Sequence, residues 1–238
     1  MVNNNRGVFS TDNNTGMLPV NPDDYRYEIK IPLQKTQFYD LKGYLNQLSV
    51  VMKRTYPDRA VNSIYIDSID LNNYLDNVTG ISRRKKIRFR WYGNNIDSLV
   101  LESKEKIGKV SRKNIVQLNN AAGIYPRSRG KYLTLLRNNR TDIGWPTLST
   151  LFPILEVNYH RSYYELASQI RMTIDTGISY RRLFPTEKPN FFSSPVYAVV
   201  EFKYPLHLAG SANKIIAGLP FRVFRHSKYV VGVDLVCG

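Results

Sequence analysis

Apolar and polar residues alternate along residues 85–92. Ile87, Phe89 and Trp91 fall on one side of an extended strand, and Lys86, Arg88 and Arg90 on the other. The same period of two recurs at residues 25–33, 61–67, 98–106, 154–164, 170–179, 196–204 and part of 221–233, which predicts eight strands. Residues 93–97, GNNID, read as a hairpin turn. Between the strands the spacing changes. Phe38, Leu41, Tyr44, Leu45, Leu48 and Val51/Met52 recur at helical intervals, which predicts an amphipathic helix over 34–54. Ser111 as a cap and Gly123 as a stop predict a second helix over 111–123, and residues 144–152 a short third. The class is therefore a β-rich α+β domain, and eight long strands can close into an antiparallel barrel.

Charge sharpens this picture. The 238 residues carry a formal net charge of +15, which asks for a polyanionic partner. No apolar run is long enough to span a membrane. Residues 1–24, rich in Asn, read as a flexible lead-in, leaving 25–238 as one folded domain. Cys237 is the only cysteine, so no internal disulfide forms and a cytoplasmic setting is the simple expectation. His160, His207 and His226 lack zinc spacing.

The charged faces carry the chemistry. Three of the seven glutamates have Lys two residues on, each inside a predicted strand: Glu28 and Lys30, Glu102 and Lys104, Glu201 and Lys203. Residues two apart share a strand face, so each motif offers one carboxylate and one cation to the same side. Salt-bridged outer faces would give this pattern, and so would the lining of a cavity. A lumen lined by several Arg and Lys must hold water and anions, because unpaired buried charge is very costly. Arginine's planar fork suits phosphate oxygens. A few carboxylates beside a phosphate would be tolerated if Mg2+ or Mn2+ lay between them. Tyr65 and Asp67 read as packing and turn residues, and Trp91 and Tyr92 as barrel core. His226 stands as a lesser phosphate-contact candidate, and Asp175 either orients a lumen arginine or forms a plain salt bridge.

The ordered segments YEIK, SIYIDSIDLNNY, KIRFRWYG, LESKEK, NYHRSYYE, IRMTIDTG, VVEFKYP and RHSKYVVGV resemble the VTC domain, the polyphosphate polymerase domain of the vacuolar transporter chaperone, within the triphosphate tunnel metalloenzymes. The resemblance covers residues 25–232. It implies an eight-stranded antiparallel tunnel with flanking helices, ATP and inorganic polyphosphate as substrates, and a divalent metal, Mn2+ or Mg2+. It implies catalytic phosphate contacts from Lys30, Arg88, Arg90, Arg161 and Arg171, further phosphate binding by Lys104, Lys203 and Lys228, and metal binding by Glu201, with Glu28 as a second candidate. It places Lys228 after the last helix. Arg26 stands where hydrolytic and cyclase-type relatives carry the first Glu of E-x-E-x-K, which favours the polymerase-like branch. No membrane segment or SPX-like regulatory segment is evident, so membrane-protein partners would be separate chains. Two rivals remain open: a tripolyphosphatase or nucleoside triphosphatase in the same tunnel, and a non-catalytic polyphosphate-binding module. Nucleic acid is disfavoured because no basic face is interleaved with aromatics.

Overall fold

The computed structural model describes residues 26–48, 50–107, 110–118, 130–131, 134–135, 150–166, 169–184 and 191–237. The elements in chain order are β1 (Arg26–Leu33), α1 (Lys35–Gln47), β2 (Met52–Ser68), α2 (Asn72–Thr79), β3 (Arg83–Tyr92), β4 (Asn95–Ile107), β5 (Val110–Gln117), β6 (Leu151–Leu166), β7 (Ile170–Arg182), β8 (Phe191–Ser193), β9 (Ala198–Pro205), α3 (Ala209–Ala217) and α4 (Lys228–Cys237). The strands form one antiparallel sheet in the order β1-β9-β7-β6-β2-β3-β4-β5, with the short β8 paired to β7. The sheet curls strongly: Lys104 on β4 reaches Glu28 on β1 at 3.3 Å, although the two strands lie near opposite ends of the order. The architecture is the expected α+β tunnel type, with eight strands on the main path. No described helix is long and apolar enough to cross a membrane.

Both faces of the sheet are used. The outer face of β1, β9 and β7 packs on α1 and α3 through Ile31, Leu41, Leu45, Met172, Phe202, Ala212 and Ile216. The outer face of β2, β3 and β4 buries Ile64, Ile87, Phe89, Trp91 and Leu101 together with Leu118, Leu135 and Leu151. A third cluster lies on the inner face. There α4 inserts Tyr229, Val233 and Val236 against Tyr65, Leu155, Tyr180 and Val199. Gly232 is required at this contact, because an added Cβ would collide with Leu155 and Tyr180. Asp67, fully buried, ties the region together. It accepts bonds from the backbone N–H of Ser68, Asn73 and Tyr74 at 2.8–2.9 Å and from the Tyr229 hydroxyl, joining β2, α2 and α4.

Four expectations need correction. Residues 111–117 are strand β5, because the chain pairs along the β4 edge from Val100↔Gln117 to Ile107↔Val110, and that ladder outweighs local helical spacing; residues 119–123 lie outside the described residues. Helix α1 stops at Gln47, and Met52 already belongs to β2, paired with Leu166. The chain from 221 to 227 has no regular structure and 228–237 is helical. Its buried positions Tyr229, Gly232, Val233 and Val236 follow helical intervals, but the residues between them are mostly apolar too and hide the period. Leu151 and Phe152 belong to β6, while 144–149 lie outside the described residues. The turn after β3 is the pair Gly93–Asn94, with Gly93 at φ +59°. The helices α2 and α3 and the strand β8 were not anticipated.

Candidate active site

The alternation of β3 divides as its sequence suggests. Ile87, Phe89 and Trp91 are buried on the outer face, while Arg88 and Arg90 turn inward with Tyr65, Glu102 and Tyr159. Register carries the same division across the sheet, because cross-strand partners share a face. Arg88 stands opposite Glu102 and Tyr65, Lys30 opposite Glu201, Glu28 opposite Lys203, and Arg161 opposite Asp175. A bulge in β7 at Gly177, φ +60°, resets the alternation, so Asp175 and Tyr180 both face inward.

Three ion clusters line this face. In the first, the Lys30 ammonium lies 2.7 Å from Glu28 and 3.6 Å from Glu201, and Lys203 and Lys104 close on the same carboxylates. In the second, Glu102 takes Arg88 at 2.6 Å, Lys113 at 2.9 Å and, more loosely, Arg90 at 3.6 Å. Arg90 also donates to the Ser63 hydroxyl at 3.4 Å and to the Tyr159 hydroxyl at 3.3 Å. In the third, Arg161 grips Asp175 through Nε at 2.6 Å and Nη2 at 2.8 Å, and the Lys228 ammonium bonds the second oxygen of the same carboxylate. Arg161 and Lys228 both lie over the Tyr159 ring, at 5.3 Å and 4.6 Å from its centroid. Every carboxylate here meets two or more cations.

The electrostatics follow from that imbalance. Burial opposes the charge of Glu28, but Lys30, Lys203 and Lys104 outweigh it and hold the carboxyl near 2. Glu102 is likewise buried, yet Arg88, Arg90 and Lys113 bring it to about 2. Burial also works against ionising Asp175 and Glu201, and again the neighbouring cations prevail and lower both. The surplus positive charge shows on Tyr159. Burial disfavours its phenolate, but Arg161, Arg90 and Lys228 bring the phenol below its usual range. Lys86 shows the opposite effect: burial first, then Lys30, Lys104 and Arg88, push its ammonium down to about 7. Burial, with Lys228 and Lys30, lowers His226 to about 4.

Two carboxylates offer partial coordination for a divalent cation. Among the described residues no group of three or more His, Cys, Asp or Glu converges, so protein atoms alone do not build a complete shell. Glu28 and Glu201 do converge, through Lys30. Oε1 of Glu201 is buried, and the Lys203 ammonium is its ion-pair partner. Two neighbouring carboxylates beside a basic surface are the kind of protein donors that a hard divalent cation takes together with substrate oxygens.

The structure gathers Lys30, Arg88, Arg90, Lys104, Arg161, Glu201, Lys203, Lys228 and Glu28 on one concave surface. Arg171 shares the face through its register with Lys203 but is exposed at the end of β7. Lys228 opens α4, the last helix, rather than following it. His226 turns a buried Nε2 to no partner. Sequence reasoning did not single out Lys86, whose ammonium donates to the Ser227 hydroxyl at 2.8 Å, although its parity with Arg88 was visible. Lys113 was lost because its segment was read as a helix. Tyr159 needed the β6 register to be seen.

No curated protein sequence matches the chain. Among solved structures, one similar fold is a Hippeastrum protein, HpAC1, described as an adenylyl cyclase with a dominant triphosphatase activity. It matches with a TM-score of 0.56 and 13% identity, covering 88% of this chain and 94% of that one. The PH1819 protein from Pyrococcus horikoshii OT3 gives a TM-score of 0.51 and 14% identity, covering 87% and 97%. At such identities the likeness is one of fold. The sequence model for the VTC domain matches residues 25–237, so the chain belongs to the VTC domain family.

Proposed function

We propose that this triphosphate-tunnel protein is a polyphosphate polymerase, which passes the γ-phosphoryl group of ATP to the end of a growing polyphosphate chain. Lys30, Arg88, Arg90 and Arg161 hold the triphosphate, and Lys104, Lys203 and Lys228 take further phosphate oxygens. Arg171 guides the anion from the rim. Glu201, with Glu28, would hold Mn2+ or Mg2+, which neutralises charge on the phosphate oxygens. A terminal oxygen of the acceptor chain bonds to the γ phosphorus, the bond from that phosphorus to the β–γ bridging oxygen breaks, and ADP leaves. Positioning and charge neutralisation supply the catalysis, as is usual for phosphoryl transfer.

The observation that carries the reading is the state of the lumen carboxylates. Glu28, Glu102, Asp175 and Glu201 are all salt-bridged and all held below their ordinary range. None is a base able to take a proton from water near neutral pH. Lys86, at about 7, is poised to do so, and a substrate phosphate beside it would restore its proton. An acceptor phosphate oxygen is already anionic and needs no base. The second reading, triphosphate hydrolysis, is favoured by the activity described for the Hippeastrum protein. Incubation with ATP and Mn2+ or Mg2+, followed by electrophoresis of the products, separates them. Long chains are expected, and free phosphate without chains overturns the polymerase reading.

A further inference from the structure

Beyond Arg161 the inward face continues to a residue that none of the ion clusters includes. Arg59 on β2 stands in register with Arg161 on β6, and partners in register share a face. Arg59 is exposed. Its guanidinium carbon lies 5.6 Å from the ring centroid of Tyr56 and 5.8 Å from those of Tyr92 and Tyr163. Among the described residues no carboxylate lies within ion-pair distance of it, and the adjacent Asp58 is taken by Arg54 at 2.5 Å. Tyr163 links the cluster to the lumen, since its phenol feels the charges of both Arg161 and Arg59.

Ring faces hold a guanidinium through their quadrupoles and leave its in-plane N–H donors unused. A carboxylate would have neutralised the charge and filled those donors. Aromatic bracing therefore presents a fixed, uncompensated cation, with its planar fork available to phosphate oxygens. The cluster lies beside Arg161, its cross-strand partner. On the phosphate reading of the lumen a triphosphate engages Lys30, Arg88, Arg90 and Arg161, and Arg59 is left over. A longer chain brings another charge with every added phosphate.

We propose that Arg59, braced by Tyr56, Tyr92 and Tyr163, is an outer phosphate subsite that grips polyphosphate chains longer than a triphosphate. The proposal rests on the phosphate reading of the lumen. The test measures affinities of the wild type, Arg59→Gln and Lys53→Gln for tripolyphosphate and for a longer polyphosphate of defined length, by calorimetry at one ionic strength. Lys53→Gln removes an equal charge from the same strand and leaves the Arg54–Asp58 pair in place. In Arg59→Gln the affinity for the longer chain should fall about three- to tenfold relative to that for tripolyphosphate, between the values of an exposed ion pair and a charge-assisted contact. Retained tripolyphosphate affinity also reports an intact fold. In Lys53→Gln the ratio should not change. An equal loss on both ligands, no loss on either, or the same change in Lys53→Gln overturns the subsite. If the wild type binds neither ligand, the phosphate reading of the lumen fails and the subsite falls with it.

Discussion

Replacing Arg90 and Phe89 by alanine, one at a time, tests the division of labour in β3 directly. The two residues are neighbours in sequence and both are buried, yet they face opposite ways. Phe89 is fully buried in the outer cluster with Ile87, Trp91 and Leu101. Emptying such a site costs about 3–5 kcal/mol, and at about 2–4 °C per kcal/mol for a chain of this size the melting temperature should drop by roughly 6–20 °C. Arg90 makes only long contacts in the ligand-free protein, at 3.6 Å to Glu102, 3.4 Å to Ser63 and 3.3 Å to Tyr159. Its removal leaves Glu102 paired with Arg88 and Lys113 and relieves repulsion among the lumen cations. Stability of the free protein should therefore change little or rise.

The cost of Arg90→Ala should instead appear with ligand. A charge-assisted contact to phosphate is worth about 1.5–3 kcal/mol, which corresponds to a loss of at least about tenfold in tripolyphosphate affinity and in turnover of ATP with metal. The assay is paired: thermal melting without ligand, and calorimetry and turnover with it. An Arg90→Ala protein that melts early yet keeps its affinity and turnover would show that the inner and outer faces have been assigned the wrong way round.

Glu201→Gln keeps the shape but removes the charge, so the dependence of tripolyphosphate binding on Mn2+ or Mg2+ should vanish while the melt stays cooperative; unchanged metal dependence by calorimetry would refute the metal assignment. Asp67→Ala removes the acceptor for three backbone N–H groups and the Tyr229 hydroxyl, and should cost about 2–5 kcal/mol in melting without touching the phosphate contacts. Lys86 is lowered from 10.5 to about 7 by burial and its cationic neighbours. Below pH 7 it is protonated both folded and unfolded; above pH 7 the folded protein sheds the proton while the unfolded chain keeps it, so this residue's contribution to stability should rise between pH 7 and about 10.5. An arriving phosphate should restore the proton, so tripolyphosphate binding near pH 8 should take up protons, seen as a dependence of the calorimetric heat on buffer ionisation enthalpy that is smaller in Lys86→Met; equal dependence in both proteins would rule this out.

Much of the lumen was legible because alternation is unambiguous where one strand face is apolar and the other charged. Strand β3 is the clearest case, and β1, β7 and β9 follow it. What could not be read was whatever depends on a partner in space. Strand β5 carries charge along an edge and reveals itself only through its ladder with β4, so Lys113 was missed along with it. Helix α4 is apolar on most sides because it lies between the inner face of the sheet and α2, and a helix wrapped in protein loses the polar stripe that marks its period. The Arg59 cluster draws its rings from β2, β3 and β6, three strands far apart in sequence.

The Glu-x-Lys motifs show how near the sequence came to the site itself. Two such motifs on neighbouring antiparallel strands, aligned at matching positions, must place each glutamate opposite the other strand's lysine, because antiparallel pairing reverses the order of one of them. Register does this for β1 and β9, setting Glu28 against Lys203 and Lys30 against Glu201. The result is a checkerboard in which every carboxylate touches a cation along its own strand and across the ladder. The third motif, on β4, has no such partner: Glu102 faces Arg88 and Lys104 faces Lys86. The charge balance of the β1–β9 pair is thereby broken at β3 and β4, and the excess of cations falls on the part of the tunnel that Arg88, Arg90, Lys86 and Lys113 share. That excess is the physical basis for an anion site, and it follows from one ladder pairing two like motifs while another sets the third motif against cations alone.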